Sequence, residues 1–118
     1  MPVNYPLLVA YQSLYLTQES IVAVKHALNN NPSPDDALTL MDQLSDLETL
    51  KDALQAMRDQ LEDGRMSLPT PDATLLETLS DLIFKVEAAT QAGAAANDAI
   101  VIASQALNTG MAVMSLLR

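Results

Sequence analysis

Residues 70–117 read TPDATLLETLSDLIFKVEAATQAGAAANDAIVIASQALNTGMAVMSLL, and the parsing of this stretch decides the architecture of the chain. Leu75, Leu79, Leu82, Val86, Ala89, Gly93, Ala96, Ile100, Ala103, Leu107, Gly110, Met114 and Leu117 alternate without interruption at spacings of four and three, which keeps one stripe of a helix turned toward a neighbour. Continuous phase predicts one helix about 70 Å long, with a waist of small side chains where another helix could come close. A break at Gly93, with Asn97 capping a fourth helix, gives two helices of ordinary length instead. The phase favours continuity, helix-length statistics favour the break, and the sequence leaves both open.

Working outward, Thr70-Pro71-Asp72 supplies a helix start: a hydroxyl for the free amides, proline at the first helical position, and an acid at the positive end of the dipole. Ser33-Pro34-Asp35-Asp36 carries the same signal and opens a predicted helix over 34–63 that ends near Gly64. That helix has leucine at Leu40, Leu47, Leu54 and Leu61, joined by Leu44, with Lys51 and Arg58 at the remaining seam positions. Ordinary core packing accounts for this pattern better than a dedicated zipper. The text around the two start signals is partly repeated, but the matches need different offsets, so convergence on good caps explains them.

Pro2 and Pro6 hold the first residues in an extended arm or first turn, and 7–29 is predicted as the first helix, ended by Asn29-Asn30-Asn31-Pro32. Its apolar stripe reads as Leu7, Leu8, Tyr11, Leu14, Tyr15, Ile21, Val22, Val24 and Leu28, with Gln12, Ser13, Glu19, Ser20 and His26 toward solvent. The third helix is predicted over 71–92, continuing or breaking near Gly93, and the C-terminal one over 97–117. The fold class that follows is all-α: a single domain, 1–118, forming an antiparallel bundle of three or four helices with a coiled-coil-like seam in its C-terminal half.

Composition agrees, since the chain is 49% hydrophobic with one Phe, three Tyr and no Trp, leaving Leu, Ala, Val, Ile and Met to build the core. A chain of this length buries roughly 65% of its unfolded surface and needs no staple. The absence of cysteine excludes disulfides, zinc-thiolate sites and thiol nucleophiles. The net charge is -9, and Asp35, Asp36, Asp42, Asp46, Glu48, Asp52, Asp59, Glu62 and Asp63 crowd one segment against only Lys51 and Arg58. Six scattered basic residues make no phosphate-neutralising patch, so direct nucleic-acid binding is not expected. No charged start of a secretory signal and no lipidation motif stand at the N-terminus, which reads as a cytoplasmic-type soluble chain.

No catalytic constellation emerges. His26 is the only histidine, and Gly64, Gly93 and Gly110 lie too far apart for a phosphate-cradling loop or nucleophile elbow. Asp42 with Asp46 and Glu48 with Asp52 stand one helical turn apart, a spacing that could hold a hard cation or mimic DNA phosphates. Without an inward Glu-x-x-His they read first as a solvated face. No cofactor, metal or enzymatic activity is expected.

Ala99 to Leu117 is an uncharged run about long enough to cross a bilayer, but Ser104, Gln105, Asn108 and Thr109 in its middle favour burial within protein over membrane insertion. So few polar residues cannot cover a helix in so small a domain, and burial on nearly all sides, partly by another chain, is the expectation. Ile100, Val101, Leu107, Val113, Met114 and Leu117 are therefore candidate interface residues, together with Tyr11 and Tyr15, one turn apart on the first helix.

Leu28-Asn29-Asn30-Asn31-Pro32-Ser33-Pro34 followed by Leu44-Ser45 resembles the helix-turn-helix of type III secretion needle subunits over about twenty residues; the C-terminal half does not match that family. Ala88 to Ala106, rich in alanine with interspersed Asn, Ser and Gln, is similar to coiled-coil segments of phage fibre and virion proteins. Both resemblances imply a helical subunit of a larger assembly. The functional expectation is a non-enzymatic structural subunit, homo-oligomeric or bound to another helical protein, in a virion or secretion apparatus. The alternative is a small acidic adaptor, chaperone or inhibitor of one protein partner, with DNA mimicry as its sharpest form.

Overall fold

The Ser33-Pro34 signal acts as read. Ser33 adopts an extended conformation (φ -60°, ψ 157°) and its hydroxyl accepts from the Asp36 amide at 3.2 Å, with Pro34 as the first helical residue. Just before it, Asn31 takes φ 52°, a left-handed conformation that asparagine tolerates better than most residues, and this reverses the chain after the first helix. The computed structural model describes residues 5–64, 73–93 and 95–115. It contains four helices: α1 (Tyr5–Asn29), α2 (Pro34–Glu62), α3 (Ala73–Gln91) and α4 (Ala96–Ser115). The start signal Thr70-Pro71-Asp72 and residue Leu117 lie outside the described residues.

The long C-terminal helix is broken, as the second parsing has it. Gly93 takes φ 99°, which a residue with a side chain adopts only at a cost, and its amide donates to Thr90 O at 3.2 Å to close the end of α3. Asn97 is not the cap of α4, because the helix already starts at Ala96 and the Ala99 amide bonds to Ala95 O at 2.9 Å. The side-chain amide of Asn30 donates to Gly93 O at 3.0 Å, so the α1–α2 and α3–α4 turns share one end of the bundle and consecutive helices run antiparallel.

The packing is a rhombus. α1 lies close to all three other helices and α4 crosses the short diagonal to meet it, whereas among the described residues the backbones of α2 and α3 do not come close to each other. Side-chain size gives the reason. The buried face of α1 interleaves the small Ala10, Ser13, Thr17, Ser20, Ala23 and Ala27 with Val9, Leu14, Leu16, Ile21 and Val24, and that of α4 interleaves Ala99, Ala103, Ala106 and Gly110 with Ile102, Thr109 and Val113. The buried faces of α2 and α3 carry Leu40, Leu47 and Leu54, and Leu79, Leu82 and Val86, which hold those helices apart.

Ser13 and Ser20 were expected at the surface of α1 and are instead buried, while Tyr11, Tyr15 and Val22, expected in the apolar stripe, are exposed. The helix satisfies two of its buried hydroxyls, Ser20 donating to Leu16 O at 2.7 Å and Thr17 to Ser13 O at 2.8 Å, whereas the Ser13 hydroxyl has no hydrogen-bond partner. The stripe of α2 is also rotated. Leu40, Leu47 and Leu54 are fully buried, but the positions between them are Gln43, Leu50 and Met57, not Leu44, Lys51 and Arg58, which are only half-buried. α2 must reach α4 as well as α1, which turns its buried arc away from the basic residues.

Gly93→Ala should destabilise by about 1 kcal/mol in urea unfolding. Open space surrounds that position, so the loss would come from the backbone alone. Ala92→Gly, just past the end of α3, should change little; a clear loss there with a gain at Gly93→Ala would contradict the break.

A second measurement tests the tightest contact. A methyl at position 110 would run into the Leu50 side chain of α2. Gly110→Ala should therefore lose about 1 kcal/mol net, an overpacking cost of about 1–3 kcal/mol exceeding the helix-propensity gain of about 1 kcal/mol. In a Leu50→Ala background the same change should be neutral or stabilising, so the double-mutant cycle would show a clear coupling.

Candidate functional site

The helices have different outer faces, and these decide what the bundle can do. On α1 the exposed side carries Tyr11, Tyr15 and Val22. The two tyrosines lean apart: the guanidinium of Arg58 on α2 lies 5.7 Å from the Tyr11 ring centroid, and the Tyr15 hydroxyl donates to Glu87 Oε1 of α3 at 3.1 Å. Arg58 also pairs with Asp59 at 3.1 Å, a surface contact worth about 1 kcal/mol or less. The hydrogen bond to Glu87, followed by desolvation and the charges of Glu19 and Glu87, holds the Tyr15 proton above its ordinary range. These tyrosines thus brace α1 against its neighbours at its surface edges.

The residues of α4 divide three ways. Val113 is fully buried within the chain, so its place at an interface is corrected: α4 turns Ala99, Ile102, Ala103, Ala106, Gly110 and Val113 inward, and its own bundle covers them. Ile100, Leu107 and Met114 are half-buried and packed against the core. Val101 is exposed on the outer face at 56%. Its own bundle therefore covers α4 on one side. α1 is the helix with the broadest buried face.

Two kinds of cleft flank α4. Between α3 and α4 runs a polar one of about 320 Å³ lined by Thr78, Asp81, Leu82, Lys85, Gln105, Asn108 and Thr109. Between α2 and α4 lies a mainly apolar one of about 410 Å³ lined by Asp46, Thr49, Leu50, Ala53, Leu107 and Met111. Above this second cleft Gln43, itself buried, spans the two helices by donating to Ile100 O and Ser104 Oγ, each at 3.1 Å. As α2 advances from Gln43 to Leu50, its contacts on α4 advance from Ile100 and Ser104 to Gly110, so these two helices run parallel.

Sequence reasoning named Leu107 but missed Met111, Leu50 and Ala53, its companions in the cleft. Met111 lies one turn beyond Leu107, yet it falls off the four-three seam and was lost in an apolar run. Phe84, the sole phenylalanine, stands 76% exposed on α3, and Leu38 and Met41 are exposed on α2. The acids of α2 do not converge: among the described residues no group of three or more His, Cys, Asp or Glu side chains could hold a metal ion. His26 is exposed in the last turn of α1. Among the described residues no helix is long and apolar enough to cross a membrane. No protein-family model, curated protein or solved structure matches the chain.

The Tyr15–Glu87 bond has a measurable signature. A raised folded-state pKa means that the bond's contribution is complete below the ordinary tyrosine pKa near 10.0 and is lost as pH rises through the raised value. In an absorbance titration, the difference between wild type and Tyr15→Phe should give a phenol ionising above its usual range, and Glu87→Gln should bring it back. An unshifted phenol in the wild type would show that the bond does not persist in solution.

Proposed function

We propose that this protein is a non-enzymatic helical subunit that works by docking an outer face onto another protein in a larger complex. The observation that carries this reading is the set of large apolar side chains on outer faces where the bundle does not need them: Phe84 on α3, Val101 and Met111 on α4, Leu38 and Met41 on α2. Scattered apolar side chains are normal on a surface, but Met111 differs from the others in adjoining an apolar cleft. The acids supply solubility and sign. A partner of opposite charge is attracted and correctly oriented, while a second copy of a chain with net charge -9 is repelled wherever acidic faces meet. The heterologous form, an acidic adaptor or inhibitor, is thus favoured over self-assembly.

Self-assembly retains one observation in its favour, the exposure of Val101 and Met111 on the outer face of α4. Light scattering together with photo-crosslinkers placed singly at Phe84, Val101 and Met111, with Ser45 as control, separates the two in the producing cell. The expected result is a monomer at micromolar concentration and one discrete heterologous adduct absent at Ser45. A ladder at multiples of 12.7 kDa that Val101→Glu abolishes would establish the homo-oligomer instead. A monomer with no adduct at any position overturns docking altogether.

A further inference from the structure

We infer that the cleft between α2 and α4 is the docking site for the apolar face of a basic amphipathic helix from a partner protein, an inference that rests on the docking function proposed above. Leu50 and Ala53 from α2 and Leu107 and Met111 from α4 give it an apolar lining of about 410 Å³, space for anchoring side chains rather than for a whole helix. Two parallel helices with such a gap between them form the groove into which an amphipathic helix sets anchors at i, i+3 or i+4, and i+7. Met111 is 65% exposed at its edge, and its flexible thioether side chain can mould to an incoming apolar group.

Charge fixes the class of partner. Asp46 lines the cleft and Asp42 stands exposed one turn earlier on the same helix. No Lys or Arg is among the lining residues, and α4 has none from Ala96 to Ser115. The two cations of α2 point elsewhere, since Arg58 covers Tyr11 on the α1 side and Lys51 is half-buried on that same edge. Among the described residues every charge at the rim is negative, so the matching helix carries lysine or arginine beside its apolar stripe. A second copy does not meet that description. Of its six basic residues, the four among the described residues, Lys25, Lys51, Arg58 and Lys85, are dispersed over three helices, and Lys85 already lines the cleft between α3 and α4.

The test uses the full chain and a synthetic helix of about 18 residues with leucines at i, i+3, i+4 and i+7 and lysines elsewhere. Binding is followed by fluorescence anisotropy and by amide chemical shifts. Shifts should centre on Leu50, Ala53, Leu107 and Met111, and affinity should fall as salt rises. Met111→Ser and Asp46→Asn should each weaken binding, the former about tenfold as the loss of an anchor contact. Glu48→Gln, which removes one acid outside the cleft, and Val101→Ser should stay within about twofold. Equal losses for Glu48→Gln and Asp46→Asn, or equal binding of a scrambled peptide of the same charge, would show attraction to acidity alone and overturn the assignment. So would self-association that Met111→Ser disrupts. Crosslinked adducts at Phe84 or Val101 combined with silent cleft substitutions would leave docking standing and remove the cleft as its site, whereas absence of both removes the two together.

Discussion

The close approach of α1 to all three of its neighbours is the constraint on which the rest of the bundle depends, and side-chain size sets it. With Ala10, Ser13, Thr17, Ser20 and Ala27 on its buried face, α1 sits near the middle of the structure and meets α4 across the short diagonal. α4 answers with Ala99, Ala103, Ala106 and Gly110. Leucine on the other two helices fills the space left along the long diagonal, so Leu40, Leu47, Leu54 and Leu79 are completely enclosed. Large side chains in place of these small ones on α1 would push the bundle toward a square and open its centre.

The outer surface follows from this geometry. Because α4 is drawn inward toward α1, its outer residues stand beside clefts on either flank, one shared with α3 and one with α2. The Gly110–Leu50 contact brings α2 and α4 close at the base of the second cleft, and Gln43 fixes their level. The carboxamide oxygen of Gln43 and the hydroxyl of Ser13 are buried without a partner, costs of about 1–3 kcal/mol each that leucine packing nearby must offset. Gln43 therefore contributes more to the register of the two helices than to stability.

That register matters for docking, since an anchor cleft works only if its walls are held before the partner arrives. Here the floor is core, with Leu50 and Gly110 buried, and the rim is exposed, with Met111 and the carboxylates free to adjust. A rigid base with an adaptable edge favours recognition of a shape and a charge sign over recognition of one particular side chain.

The sequence alone determined the helices and their ends wherever a residue's own backbone chemistry decides the matter. The Ser33-Pro34 start and the reversal through Asn31-Pro32 are properties of local dihedral angles and hydrogen bonds, so they were legible without the fold. Gly93 was legible as a candidate break but not as a certain one, because a four-three apolar phase runs through it on both sides; the positive φ that decides it exists only once α3 and α4 fold back on each other. Which face of each helix goes inside was decided by tertiary structure. Apolar counting put Tyr11, Tyr15 and Val22 in the core and Ser13 and Ser20 in water, whereas close helix approach selects for smallness; Ser20 meets that need at little polar cost by bonding to its own helix, and Ser13 meets it with its hydroxyl unpaired. The same blindness hid the α2/α4 cleft, since Leu50 and Met111 are far apart in the chain and become one surface only when a glycine opposite Leu50 lets two parallel helices close.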